Sequence, residues 1–82
     1  MNYLVTFFTH FDAMSYQHSL SRLSIQGTLM PVPRKVSSSC GTCVTFTIEE
    51  ALVPELDLIQ MEDYAEIFQI MDESYILLHK NE

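Results

Sequence analysis

The chain has 82 residues, enough for one domain and too few for two, since compact domains rarely fall below about 50 residues. Its 48% apolar and 18% charged residues are typical of a folded globular protein and exclude intrinsic disorder of the whole chain. The net charge of −7, with only four basic side chains, excludes the basic surface that nucleic-acid binding requires.

No apolar stretch approaches the roughly 20 residues that a membrane-spanning helix needs, and the longest runs from Tyr75 to Leu78. The amino end carries no basic lead and no apolar signal segment. We therefore expect a soluble, cytoplasmic protein that engages no membrane. In a reducing compartment, Cys40 and Cys43 are expected to be thiols, with or without chemistry, rather than a structural disulfide.

The charge is unevenly distributed along the chain. Residues 1–48 carry three basic side chains and one acidic one, whereas residues 49–82 carry one basic side chain and ten acidic ones. We interpret the acidic half as a solvated surface that keeps a small protein in solution. A docking surface for a basic partner is the alternative interpretation.

The first two elements are a strand and a helix. Residues 3–8 predict a strand whose two alternating faces are both largely apolar. Thr9 follows as the N-cap of a helix over residues 11–23, with Asp12 near the positive end of the helix dipole. One stripe of this helix is apolar and predicts packing on one side; it comprises Ala13, Tyr16, Leu20 and Leu23.

Two further strands surround a loop in the middle of the chain. Residues 25–30 predict a short strand that is stopped by Pro31 and Pro33. A serine-rich loop follows over residues 36–42. Residues 43–48 alternate in polarity, which predicts a half-buried strand with Val44, Phe46 and Ile48 on its apolar face.

The last third of the sequence predicts a second helix and a final strand. Residues 49–60 have no clear pattern, and Pro54 interrupts them. A helix is predicted at about residues 62–72, because apolar side chains recur at the i, i+3, i+4 and i+7 spacing; these are Tyr64, Ile67, Phe68 and Met71. Residues 75–79 predict the last strand.

The order β-α-β-β-α-β predicts an α+β fold with a ferredoxin-like plan. This is a two-layer sandwich with both helices on one face of a mostly antiparallel sheet. The opposite face of such a sheet is expected to be polar in a monomer, yet the first and last strands are apolar on both sides. We therefore expect a homodimer formed through the open face or a sheet edge.

The connection from Pro33 to Gly41 concentrates reactive and charged residues. It holds two of the four basic side chains, Arg34 and Lys35, and ends in Cys40 and the glycine. Only the thiolate of a cysteine is nucleophilic, and an unperturbed pKa of about 8.5 leaves it mostly protonated, so the adjacent cations would activate it. Hydroxyls and backbone N–H groups of the loop could cradle an anion; they belong to Ser37, Ser38, Ser39 and Gly41.

This pattern resembles the small domains called putative Se/S carrier protein-like. The residues that carry the resemblance lie in roughly the first 50 positions; they are His10, Asp12 and Ala13, residues 29–34, residues 37–41 and Phe46. The resemblance implies a compact α+β domain that carries sulfur or selenium on Cys40. With this role, a sulfur or selenium donor or acceptor protein is the expected partner. The loop residues themselves suggest Arg34 as the electrostatic partner of the thiol, and the loop serines with Gly41 as its cradle.

The chain departs from the family pattern at two positions. Ser24 replaces a glycine common near the end of the first helix, at a cost of about 1 kcal/mol if that position is left-handed. Cys43 replaces a small or apolar residue and creates a Cys-Gly-Thr-Cys sequence. Strand residues three apart lie about 10 Å from each other, whereas a disulfide needs Cα atoms within about 7 Å, so only a tight turn would join Cys40 to Cys43.

We therefore predict a carrier or accessory protein in sulfur or selenium trafficking, rather than an enzyme, with Cys40 as acceptor thiol and His10 as an accessory residue. No bound cofactor is expected. No metal is expected either, because no histidine pair has zinc-finger spacing. Two alternatives stay open, namely a non-catalytic module whose loop holds an anion or a protein partner, and a dithiol redox protein that uses Cys40 and Cys43.

Overall fold

The computed structural model describes residues 2–36, 41–48 and 64–81. These residues form one helix and one five-stranded sheet, in the order β1 (Asn2–Thr6), α1 (His10–Arg22), β2 (Thr28–Pro31), β3 (Thr42–Thr47), β4 (Glu66–Met71) and β5 (Ser74–Lys80). The strand order in the sheet is β2-β3-β1-β4-β5, and all neighbouring strands are antiparallel. The predicted α+β class is confirmed.

Strand β1 lies at the centre of the sheet, which explains why both of its faces are apolar. Tyr3 and Val5 are buried against α1, and Leu4 is buried on the opposite face. Tyr3 stacks on Phe46 of β3 with ring centroids 5.5 Å apart. A strand buried on both sides shows no alternation of polarity, which agrees with the sequence of β1. The apolar second face of β1, from which the sequence predicted a dimer, is buried within the chain itself.

Helix α1 packs on the first face of the sheet. Thr9 is its N-cap, as predicted, and accepts a hydrogen bond from the N–H of Asp12 at 3.1 Å. The buried stripe consists of Ala13, Tyr16 and Leu20. The prediction was wrong for Leu23, which is the C-cap residue and 41% exposed, because the helix ends before it can turn this side chain to the core.

The second face of the sheet is covered in part by the segment that follows β2. Val36 is buried against Leu4 and Cys43, and Val32 packs on the same cluster. This cluster also includes partly buried Phe68, Ile70 and Tyr75. The face that the sequence left open for a partner is therefore occupied, over this area, by the chain itself.

The predicted helix over residues 62–72 is wrong from residue 66 onward, because β4 occupies Glu66–Met71. An inner strand that is apolar on both faces imitates helical spacing. Ile67 faces the α1 side, Phe68 packs on the opposite cluster and Met71 is half exposed. The ferredoxin-like plan is not established, since its second helix is not among the described residues; residues 49–60 lie outside them.

The bounds of the second and the last strand differ from the prediction. Strand β2 begins at Thr28, later than predicted, and includes Pro31 instead of stopping before it. A proline is tolerated there because β2 is an edge strand of this sheet and the missing N–H costs no internal hydrogen bond. The last strand is confirmed and extends to Ser74–Lys80.

The end of α1 explains the departure at Ser24. The N–H of Ile25 donates to the Leu20 carbonyl at 2.8 Å, and the N–H of Ser24 donates to the Ser21 carbonyl at 3.0 Å. These two hydrogen bonds form a Schellman motif. Ser24 has a φ of 63°, in the left-handed region that favours glycine. The position is therefore one where serine stores strain.

Replacing Ser24 by glycine is expected to raise the free energy of unfolding by about 1 kcal/mol, because the left-handed conformation no longer costs a Cβ clash. Ser21→Gly is the matched control. It lies inside the same helix and should instead destabilise by about 0.5 kcal/mol. Urea unfolding of both variants measures the effect, and a loss of stability in Ser24→Gly would contradict it.

Candidate functional site in the connection between β2 and β3

The loop between β2 and β3 is closed at its base by backbone pairing. Pro31 pairs with Thr42 in the strand register, and the N–H of Val32 donates to the Gly41 carbonyl at 3.1 Å. Inside the loop, the N–H of Val36 donates to the Pro33 carbonyl at 3.0 Å, which closes a turn. Four of the predicted site residues, Ser37, Ser38, Ser39 and Cys40, lie outside the described residues.

The topology brings the start of α1 to the base of this loop. Strand β1 runs antiparallel to β3, so the end of β1, from which α1 follows, lies beside the beginning of β3. His10, the first residue of α1, places Nδ1 3.0 Å from Oγ1 of Thr42. The accessory residue predicted from sequence is thus in contact with the loop, and the positive end of the α1 dipole lies at the same end of the sheet.

The two cations of the loop have different surroundings. Lys35 donates from Nζ to the carbonyl of Glu73 at 3.0 Å, which ties it to the turn between β4 and β5. Arg34 is exposed, and among the described residues it has no hydrogen-bond or ion-pair partner. Arg34 is consequently the cation that is available to an anionic group, whereas the ammonium of Lys35 is already engaged.

Gly41 does not have the left-handed backbone that would make glycine necessary for an anion nest. A Cβ added at this position meets no heavy atom of the described residues within 4 Å. Within that part of the chain, the glycine is therefore required neither by the backbone conformation nor by packing.

Cys43 lies in β3 and is fully buried on the face opposite α1. Its Sγ is 3.8 Å from the carbonyl oxygen of Pro31, and Val36 packs over it. Solvent does not reach this thiol in the folded protein. A partner in solution therefore does not reach Cys43 in this folded state.

A second polar cluster lies at the same end of the sheet, next to β5. Tyr64 is buried, and its hydroxyl lies 2.5 Å from Nδ1 of His79; burial raises the pKa of this phenol above its ordinary value. Asn81 donates from Nδ2 to the Tyr64 carbonyl at 2.9 Å. Three strand spacings of roughly 4.8 Å separate β5 from β3, so His79 lies far from the His10 contact.

The described residues contain no group of three or more histidine, cysteine or acidic side chains that would hold a metal ion. No helix within ranges 2–36, 41–48 and 64–81 is long and apolar enough to cross a membrane. A cavity of about 490 Å³ lies at the other end of the sheet, lined by uncharged residues that include Asn2, Thr28, Thr45, Thr47 and Tyr75. None of the site residues predicted from sequence lines it.

Residues 2–56 match the family described as putative Se/S carrier protein-like. The chain belongs to this family. The match covers β1, α1, β2, the loop and β3, whereas β4 and β5 lie beyond it. No curated protein and no solved structure matches the chain. The family description names carriage of selenium or sulfur, and its matched region contains Cys40.

Thr42 is the contact residue that the sequence reasoning missed. It lies two positions after Cys40 and 32 positions after its partner His10. No local spacing links residues so far apart, because their contact depends on the antiparallel pairing of β1 with β3. The only sequence signal for a role of Thr42 in the site was its hydroxyl directly after the Cys40-Gly41 pair.

Proposed function

We propose that the protein carries sulfur, or its heavier congener selenium, as a persulfide or selenium analogue on the thiol of Cys40. Membership of the family carries this proposal, since the family description names that cargo and the matched residues include the loop. The surroundings of the loop base support it. The other thiol of the chain, Cys43, is buried and therefore unsuited to exchange with a partner protein.

The start of α1 supports a nucleophilic thiol in this loop. Cys40 precedes Thr42 by two residues, and two residues span at most about 7 Å. Thr42 contacts His10, the first residue of α1. The first N–H groups of a helix have no partner within it and carry partial positive charge, which stabilises a thiolate nearby and lowers its pKa. Arg34, in the same connection, adds a full positive charge.

The transfer step balances without an external oxidant. The Cys40 thiolate attacks the outer sulfur of a donor persulfide, and the sulfur–sulfur bond of the donor breaks. The donor leaves as a thiolate, and the new sulfur–sulfur bond leaves a persulfide on Cys40. The same exchange, with an acceptor thiolate attacking the outer sulfur of Cys40, unloads the cargo.

Mass spectrometry of the intact protein after incubation with glutathione persulfide tests the proposal. The Cys43→Ser variant should gain the mass of one sulfur atom, and a thiol reductant should remove it. Serine is a suitable replacement because its hydroxyl can donate to the Pro31 carbonyl that Cys43 approaches. The Cys40→Ser variant should gain no mass. If the Cys43→Ser variant also gains no mass, the carrier function is refuted.

The dithiol redox alternative depends on Cys40 reaching Cys43, because burial beneath Val36 leaves Cys43 only the role of the internal thiol. A thiol pair that cycles with external substrates requires at least one accessible sulfur and a second one that reaches it. The alternative of a non-catalytic anion-binding module is favoured only by exposed Arg34. The loading experiment separates it from the carrier, because an anion site leaves no covalent mass on Cys40.

A further inference from the structure

The outer edge of β5 exposes a row of large apolar side chains. Ile76, Leu77 and Leu78 are 44%, 48% and 42% exposed, although β5 is a seven-residue strand of the sheet. Strand β4 pairs with one side of β5, and within the described sheet no strand pairs with the other. A long apolar edge with unpaired backbone groups is a template for a further strand.

The hairpin geometry assigns which backbone groups of β5 point outward. Met71 pairs with Ser74 across a two-residue turn, so this pair exchanges hydrogen bonds inside the hairpin. Because the pattern alternates along an antiparallel pair, the N–H and C=O groups of Tyr75 and Leu77 point away from β4. These two residues offer donors and acceptors to a strand from outside.

The charges at the two ends of β5 are of opposite sign. Asp72 and Glu73 form the turn that precedes the strand, and Lys80 is its last residue. If β5 pairs antiparallel with β5 of a second copy about a two-fold axis at Ile76, Tyr75 lies opposite Leu77 of that copy. Antiparallel pairing about this axis brings the Lys80 end of each strand beside the Asp72–Glu73 turn of the other copy, so the two ends of β5 are complementary in charge as well as in apolar surface. The bulge in the pairing of β5 with β4 lies beyond Leu77, outside the central pairing of Tyr75 with Leu77.

We propose that the protein forms a two-fold homodimer through the β5 edge, centred on Ile76, which joins two five-stranded sheets into one. This inference does not depend on the carrier function, because β4 and β5 lie outside the family match and outside the Cys40 loop. The second face of the sheet is the less suitable surface, since Val32 and Val36 already cover part of it. A net charge of −7 on each copy opposes association and keeps the dimer weak.

Sedimentation equilibrium of the wild-type chain from low micromolar to near-millimolar concentration is the first test. The average mass should rise from 9.5 kDa toward twice that value. The Lys80→Glu variant and the Asp72→Lys variant each bring like charges together twice in the dimer, and each should weaken association roughly tenfold. Lys80 also pairs with Glu66 of its own chain, so the fold of the Lys80→Glu variant is checked before its association is compared. A 9.5 kDa mass at every concentration would overturn the proposal.

Mixing the two variants gives the decisive result. In a heterodimer of Lys80→Glu with Asp72→Lys, the introduced carboxylate faces the introduced ammonium, and the two unchanged side chains face each other. The mixture should therefore recover wild-type association, although each variant alone does not. Failure of the mixture to associate more tightly than either variant would overturn this register.

Arg22→Glu is the matched control for net charge. It changes the charge by the same amount as Lys80→Glu, but it lies in the last turn of α1, a helix that contacts β2 and β3 rather than β5. Its association should equal that of the wild type once circular dichroism shows that all variants are folded. Equal weakening by Arg22→Glu and Lys80→Glu would assign the effect to overall repulsion and refute the edge.

Discussion

Replacing Gly27 by alanine is expected to lower the free energy of unfolding by about 1–3 kcal/mol, the usual cost of overpacking a core. The added Cβ would lie 2.9 Å from Cδ1 of Leu20 and 3.1 Å from Cγ1 of Val44. Both side chains are fully buried, so neither has space into which it can move. The residue lets the chain pass between α1 and β3, where Gln17 binds its carbonyl.

Gly41→Ala is the control for this prediction, since its new Cβ meets no atom within 4 Å and its backbone is not left-handed. A compatible glycine-to-alanine change restricts the unfolded chain, so the variant should be unchanged or more stable by about 0.5 kcal/mol. Chemical denaturation of both proteins measures the difference. Equal stability of the two variants would show that the Leu20 and Val44 side chains move aside without lowering the free energy of unfolding, and would contradict the prediction.

The second large effect concerns the two thiols. Iodoacetamide near neutral pH is expected to modify Cys40 at least about 100-fold faster than Cys43, because a fully buried thiol reacts only when the structure opens. Peptide mapping after timed quenching gives both rates in one sample. Unfolding in urea should remove most of the difference, and similar rates in the native protein would contradict it.

The charge argument for Cys40 has its own control. Arg34→Ala should slow the modification of Cys40 roughly two- to threefold, because loss of a nearby cation raises the thiol pKa. Lys35→Ala removes the same charge, but the ammonium of Lys35 is bound to the Glu73 carbonyl in the β4–β5 turn. We expect a smaller effect there. Equal slowing by both variants would assign the effect to net charge instead of to Arg34.

The first half of the fold could be predicted from the sequence because its signals are local. The Thr9 cap, the stripe from Ala13 to Leu20 and the alternation along β3 each follow from neighbouring residues. The left-handed position at Ser24 was indicated instead by the resemblance, since a glycine is common there in the family. Strand β4 could not be predicted, because a strand that is apolar on both faces loses its period of two, and Ile67, Phe68 and Met71 then fit a helix.

The candidate site likewise has features that local sequence signals indicate and features that depend on long-range packing. Residue types and their order in the loop by themselves indicated a reactive thiol and the cations proposed for it, and the resemblance added its role as acceptor. Only the tertiary structure decided that His10 meets Thr42, that Lys35 is held by the Glu73 carbonyl and that Cys43 is buried. Each of these contacts joins distant parts of the chain through the pairing of strands, and strand pairing is set by long-range packing that no local spacing encodes.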